Sequence, residues 1–334
     1  MRRHAAGFTL VELMVSLVLG LIVTGAAVAM FLSNKQVYAT TENLSRAQES
    51  VRTAYELMSR DMRESASTAC EANLPTVNLL NTPTNLWYTN FDSPVRGYDA
   101  SQDFVSPAEG TGTASGQRVA GTDAIEIKSA VNDGVAITAA NQAGATLTLR
   151  TVDHGLRTGD IAMICDFDHG SIVQLRSAGP TSATISHGTG TVTPGNCTTG
   201  VNFSSPANCT GSGSPYSFTT NAFVTRMKAG RWYIGNGRNG PALFWAQMIN
   251  NGSTGVTIER QEIAPGVRNM QLQYLLQGAT TYVDASAVPA ASWNTMQVLA
   301  VRVLLTVEGN TPGQGGDAVT RLLEHTVTLR NRVP

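Results

Sequence analysis

Charge is scarce in this chain. Only 14% of its 334 residues are Asp, Glu, Lys or Arg, against roughly a quarter in an average soluble domain. The formal net charge is -1, the pI is about 6.5, and no run of Lys or Arg occurs in the body of the chain. It therefore lacks the global positive field that holds a phosphate backbone, and nucleic acid is not an expected partner. Cysteine is sparse as well: Cys70, Cys165, Cys197 and Cys209, without Cys-x-x-Cys spacing. Such usage argues against zinc and for one or two disulfides in an oxidising compartment. No Gly-x-Ser-x-Gly elbow and no His-Glu-x-x-His pattern occurs. Residues 235–240 (GNGRNG) lack the Lys-Ser/Thr that completes a phosphate-binding loop and read as a turn between strands. The five histidines, His4, His154, His169, His187 and His325, are scattered. The chain is thus expected to be neither an enzyme nor the holder of a cofactor. It contains no internal repeat.

What is abundant is apolar sequence at the N-terminus. Residues 1–7 read MRRHAAG. Arg2 and Arg3 precede the apolar run, so the positive-inside bias keeps that end in the cytoplasm and exports the rest. Residues 8–32, FTLVELMVSLVLGLIVTGAAVAMFL, supply 25 positions, enough as a helix to cross a hydrocarbon core of about 30 Å. A single charge interrupts them, Glu12. A carboxylate there costs about 2.5–3.5 kcal/mol on insertion scales, so it calls for an interfacial position or a compensating partner. A secretory signal peptide carries its small-residue cleavage site after the apolar segment; here the matching site, Gly7, precedes it. Cutting at Gly7 retains the helix and exposes an amine on Phe8, with a reference pKa of about 7.7–8.0, one turn from Glu12.

This combination of Gly7, Phe8, Thr9, Leu10, Glu12 and an unbroken apolar stretch resembles the class III signal of type IV prepilins and type II secretion pseudopilins. The resemblance implies that prepilin peptidase cuts between Gly7 and Phe8 and N-methylates Phe8. It also implies that Glu12 meets the terminal amine of a neighbouring subunit and sets register in the fibre. Many major pilins carry a proline in this helix; the absence of one in residues 8–32, where only Gly20 and Gly25 offer flexible points, favours a minor pilin or a pseudopilin.

Beyond the membrane segment, Val37, Leu44, Val51 and Met58 recur at seven-residue spacing with Ala47 and Ala54 between them, the stripe of a helix that packs on a domain. The other face carries Glu42, Arg46, Glu49, Arg52, Glu56, Arg60, Arg63 and Glu64. It is read as solvated, with Glu42/Arg46 and Glu56/Arg60 spaced as i,i+4 pairs. The helix is expected to end near residue 68, before Pro75 and Pro83. Period-two alternation then predicts strands at Ile125/Ile127, Leu147/Leu149, residues 161–164 and 172–175, 270–276, 301–307 and 324–330. Residues 177–217, rich in Gly, Ser, Thr, Pro and Asn, read as an elaborated surface loop. Cys197 and Cys209 lie within it; closing that loop is worth about 3 kcal/mol on the chain-entropy model. This makes them the first pair to join, with Cys70 and Cys165 as the second candidate bridge.

The predicted organisation is a leader (1–7), a transmembrane half-helix (8–32), an amphipathic half-helix (33–68) and a periplasmic or extracellular β-rich domain (69–334). The fold class is α+β and type IV pilin-like: a long N-terminal helix packed on an antiparallel sheet, with an enlarged C-terminal domain. Several segments resemble the PilW type of minor pilin: RDMRESASTAC, GTDAIEI, GDIAMICD, ERQEIAPGVRNMQLQYLL, WNTMQVLAVRVLLTVEG and HTVTLRNRV. That resemblance implies a subunit that helps prime pilus assembly with other minor pilins and the major pilin, sits at or near the tip with an adhesin, and supports adhesion or twitching motility. It would be stored in the inner membrane and then displayed on the cell surface. The alternative is a J-type pseudopilin of a type II secretion system. A further alternative is a membrane-anchored calcium-binding adhesin domain, since Asp99, Asp103, Asp123 and Asp133 lie in loop-like sequence, although acidic loop residues are mostly just solvated. The run Cys165-Asp166-Phe167-Asp168-His169 is the densest reactive cluster, and a loop following a strand is its plainer reading.

Overall fold

The computed structural model describes residues 9–332 apart from 71–73, 105–109, 132–133, 191–192, 219–220, 253–254, 296 and 313–317. Helix α1 (Leu10–Glu64) takes 55 residues, a rod of about 80 Å at 1.5 Å per residue. No proline interrupts it, and in its apolar half the Ser16 and Thr24 hydroxyls are satisfied internally, donating to the carbonyls of Glu12 (2.6 Å) and Gly20 (2.7 Å). The helix stops at Glu64, four residues before the expected end. Ala66 there adopts a left-handed φ of 60°, the C-terminal conformation for which glycine is the usual signal, so sequence offered no marker. The Ser65 hydroxyl donates to the Met62 carbonyl (2.6 Å), and the Asn331 amide donates to the Ser65 carbonyl (3.0 Å).

Strands follow: β1 (Thr76–Asn78), β2 (Val95–Tyr98), β3 (Ala124–Ala130), β4 (Val135–Asn141), β5 (Thr146–Leu149), β6 (Ile161–Cys165), β7 (Gly170–Gln174) and β8 (Thr184–Ser186). The longer ones come last: β9 (Phe223–Gly237), β10 (Gly240–Asn250), β11 (Val256–Pro265), β12 (Val267–Leu276), β13 (Tyr282–Asp284), β14 (Val298–Pro312) and β15 (Ala318–Thr328). A short helix, α2 (Ala290–Asn294), precedes β14. Among the described residues the strands form one sheet of eleven and one of four. All pairings are antiparallel except β1 with β7. In the larger sheet β9 is the hub, pairing with β3, β4, β6 and β10 along its 15 residues. The smaller sheet runs β13-β12-β14-β15.

Helix α1 docks on the smaller sheet. Val51, Ala54, Met58 and Met62 are buried in one core with Val301, Val303, Leu305 and Val307 of β14; the three larger helix side chains contribute about 5–8 kcal/mol by area, as an upper bound. Docking starts later than the heptad stripe implies, because Val37 is 46% exposed. The side chains of Leu44 and Ala47 lie outside the described set. The solvated face also pairs differently: Arg46 meets Glu42 (2.5 Å), but Glu56 meets Arg52 (3.6 Å) and Glu64 meets Arg60 (3.9 Å). A second core lies under the larger sheet and includes Leu147, Ile164, Val173, Ile185 and Val201. Ile185 and Val201 belong to the 177–217 segment, which therefore packs rather than standing wholly as a surface loop.

Candidate functional site

The residues that sequence singles out for processing and assembly surround the free end of α1. Gly7 and Phe8 lie outside the described residues. Thr9 is the N-cap, with an extended ψ of 151°, and with Glu12 it closes a capping box. The Glu12 amide donates to the Thr9 hydroxyl (3.3 Å), while the Thr9 amide and hydroxyl both donate to Glu12 Oε2 (3.1 Å each). Two otherwise orphaned amides at the start of the helix are thereby satisfied. Both contacts fall on Oε2, and among the described residues Oε1 has no partner. Glu12 thus fixes the helix start with one oxygen and presents the other outward.

From there the helix is uncovered. A candidate membrane span covers Leu10–Glu42, 33 residues with a mean hydropathy of 2.5 in its most apolar window and none of that window buried. Leu13, Val18, Leu21, Ile22 and Phe31 are each more than half exposed. An apolar surface of this extent is unstable in water, so it belongs in a bilayer or against other helices.

At its other end α1 is held by charge as well as by apolar packing. Lys228 of β9 reaches Glu64 (2.7 Å) and Asp61 (3.5 Å), and the Trp232 indole donates to Asp61 (3.2 Å). Burial pushes the Asp61 carboxyl above its ordinary range against the pull of Lys228. Glu64 was expected to be solvated, and Lys228 carried no signal because its partners lie more than 160 positions away.

The four cysteines pair as Cys70 with Cys165 and Cys197 with Cys209. The first bridge ties the segment just after α1 to β6; the second clamps residues that wrap the second core. That wrapping is secured by a knot of amides. Asn196 accepts from the Gln174 backbone amide (2.6 Å) and donates to the carbonyls of Gln174 (2.8 Å) and His187 (2.7 Å). Gln174 in turn donates to Gly159 (2.9 Å) and Thr193 (3.0 Å).

The Cys165–His169 cluster is consumed by structure. Asp166 accepts from the amides of Asp168 (2.9 Å) and His169 (3.3 Å) and from the Tyr216 hydroxyl (2.7 Å), shaping the turn between β6 and β7. The buried His169 ring contacts the Val201 carbonyl (2.9 Å), to which Ser171 also donates (2.6 Å). The acidic residues do not converge: among the described residues no three His, Cys, Asp or Glu side chains group as metal ligands. Asp133 lies outside the described residues. Asp123 is buried rather than solvated; it accepts from the Leu272 amide (2.7 Å), and burial pushes its carboxyl up to about 6. Residues 235–240 hold the end of β9, the two-residue turn Arg238–Asn239 and the start of β10, so the segment is a hairpin.

Sequence reasoning missed a charged cluster inside the larger sheet. Glu126 and Lys128 of β3 and Arg231 of β9 are each at most 2% exposed. Glu126 accepts from Arg231 (2.5 Å), Lys128 (3.3 Å) and the Tyr98 hydroxyl (2.8 Å), while Arg231 stacks over Phe104 (3.9 Å) and Trp87 (4.4 Å).

A capped, uncovered apolar helix is thus anchored on a β-rich body, and residues 2–28 match the prokaryotic N-terminal methylation motif. That motif places the chain with prepilin-like proteins, which are processed by prepilin peptidase and assembled with other pilins. More particularly, residues 231–331 match the family model of type IV pilus-assembly protein W. At both ends, then, the chain matches a PilW-like class III prepilin. The second match takes in the rest of β9, the β10–β11 hairpin and the whole four-stranded sheet that receives α1. No curated protein and no solved structure matches the chain.

Proposed function

We propose that this chain is a minor pilin: a structural, non-catalytic subunit cut between Gly7 and Phe8, methylated on Phe8, and drawn from the inner membrane into a type IV pilus. The observation that carries the reading is Glu12, which spends one carboxylate oxygen on the Thr9 cap and keeps the other for a donor beyond the chain. The amine freed on Phe8 of an adjacent subunit is a donor of the right charge for a carboxylate in low dielectric. Before assembly the body, residues 69–334, lies in the periplasm and the N-terminus in the cytoplasm, in keeping with Arg2 and Arg3 before the span. In the fibre it primes assembly with other minor pilins at or near the tip, where the large β-rich body meets no steric limit from the packed shaft and supports adhesion or twitching. The PilW match supports a pilus over a secretion pseudopilus.

Two measurements test this. N-terminal sequencing and intact mass of the chain from its native membrane should find N-methylated Phe8; an intact Met1 or a cut after Ala29 sinks the prepilin reading. Deletion of the gene should remove surface fibres and leave secreted enzymes at parental levels; the opposite pattern identifies a secretion pseudopilin.

A further inference from the structure

Strands β2 and β3 pair so that Arg96 stands directly opposite Glu126, a position where opposite charges ordinarily meet. Glu126 is already committed, with Oε1 on Arg231 and Tyr98 and Oε2 on Lys128. Among the described residues Arg96 has no carboxylate partner. Its guanidinium instead lies 5.3 Å from the centroid of the Tyr98 ring, half-buried at the wall of a cavity of about 390 Å³ between β2 and the Ala285–Asn294 stretch. Ser93 lines the same cavity, and among the described residues its buried hydroxyl has no partner. Gln102 and Ser286 add polar groups, and the buried Val288 and Trp293 form an apolar wall. Asp99, just after β2, is held by the amides of Ser101 (2.9 Å) and Ser286 (3.0 Å).

We propose that this cavity binds a carboxylate ligand through Arg96. A half-buried guanidinium lacking a counter-ion is costly, and a planar carboxylate restores the balance with two parallel hydrogen bonds to its fork. The Ser93 hydroxyl would donate to the same group, and the ligand's carbon skeleton would rest on Trp293 and Val288. A single guanidinium among the described lining residues suits a monoanion rather than a phosphate dianion. The carboxylate belongs either to an acidic sugar or to an aspartyl or glutamyl residue of a peptide. None of the described lining residues belongs to α1, and the site does not depend on the pilus assignment.

The test is a titration of the full chain in detergent micelles, followed by the Arg96 side-chain Nε–Hε NMR correlation, identified by its loss in Arg96→Gln. Glucuronate, N-acetyl-aspartate amide and inorganic phosphate are the probes, at constant ionic strength. A saturable shift with either carboxylate supports the proposal, and the tighter of the two names the source. The Trp293 indole signal should move in parallel, and for that signal Arg96→Gln should bind at least about tenfold more weakly. Arg96→Lys, which keeps the charge without the fork, should fall between and serves if the glutamine variant folds poorly. A shift that does not saturate, a Trp293 response undiminished in both variants, or phosphate binding as tightly as the carboxylates overturns it.

Discussion

Replacing Glu12 with glutamine separates two roles that alanine removes together. In the free subunit Glu12 accepts from the Thr9 amide and hydroxyl at 3.1 Å. Glutamine can accept the same bonds at this third helical position, so the start of α1 should survive, whereas alanine should cost the helix end about 1 kcal/mol. Loss of the negative charge acts elsewhere. If Oε1 faces a neighbour's amine inside the water-excluded fibre, removing one partner of that pair costs about 3–5 kcal/mol, two to nearly four orders of magnitude in incorporation. Membrane insertion, by contrast, should be impaired in neither variant, since the carboxylate's insertion cost of about 2.5–3.5 kcal/mol is removed by alanine and reduced by glutamine. The assay is the ratio of variant to parent chain in sheared fibres, against the ratio in membranes, in cells producing both. Glutamine and alanine should both reach membranes normally and both fall at least about a hundredfold in fibres. A glutamine variant incorporated like the parent, with alanine depleted, would assign Glu12 to helix capping and refute its role as a register charge.

Three other outcomes are expected. Changing Cys70 and Cys165 together to serine opens a loop of 95 residues and should lower unfolding free energy by about 4–5 kcal/mol. The Cys197/Cys209 pair spans 12 residues and should cost about 3 kcal/mol, so denaturant midpoints should fall further for the first pair. Gly230→Ala places a β-carbon against the Trp245 ring, which lies across that backbone, and should cost about 1–3 kcal/mol; an unchanged thermal midpoint would mean the ring moves aside freely. Finally, burial lowers the His187 imidazole from 6.5 to about 4. The unfolded chain then takes up a proton that the folded chain refuses, so stability is full above about pH 6.5 and falls towards pH 4, by about 3 kcal/mol in all. Asp123, raised to about 6, acts in the opposite sense, gaining stability as pH falls. The clean measurement is therefore the difference between parent and His187→Gln, which should narrow across that window.

The sequence by itself determined what is local. The apolar run, the Thr9–Glu12 cap three residues apart and the small residue ahead of them define the prepilin end, because a membrane span and a helix start are set by neighbours within a few turns. Alternation in Met270, Leu272 and Tyr274, and in Val301, Val303 and Leu305, marked the strands that bury them, since a sheet with one face on a core writes its period into the chain. The first-choice bridge closes a short loop for the same reason. Tertiary structure decided the rest. Glu126 and Lys128 alternate with Ile125 and Ile127 and so read as a solvent face, yet the aromatic residues of distant segments cover them and Arg231, 105 positions away, neutralises Glu126. The end of α1 depended on Ala66 adopting a glycine-like conformation and on Lys228 lying beneath Asp61 and Glu64. Asn196 and Gln174 turned a stretch that looked like loop into packed structure. In each case the deciding group lies across a strand pairing or a loop closure, and the energy of a buried charge or amide depends on which partner the fold delivers rather than on what stands beside it in the chain.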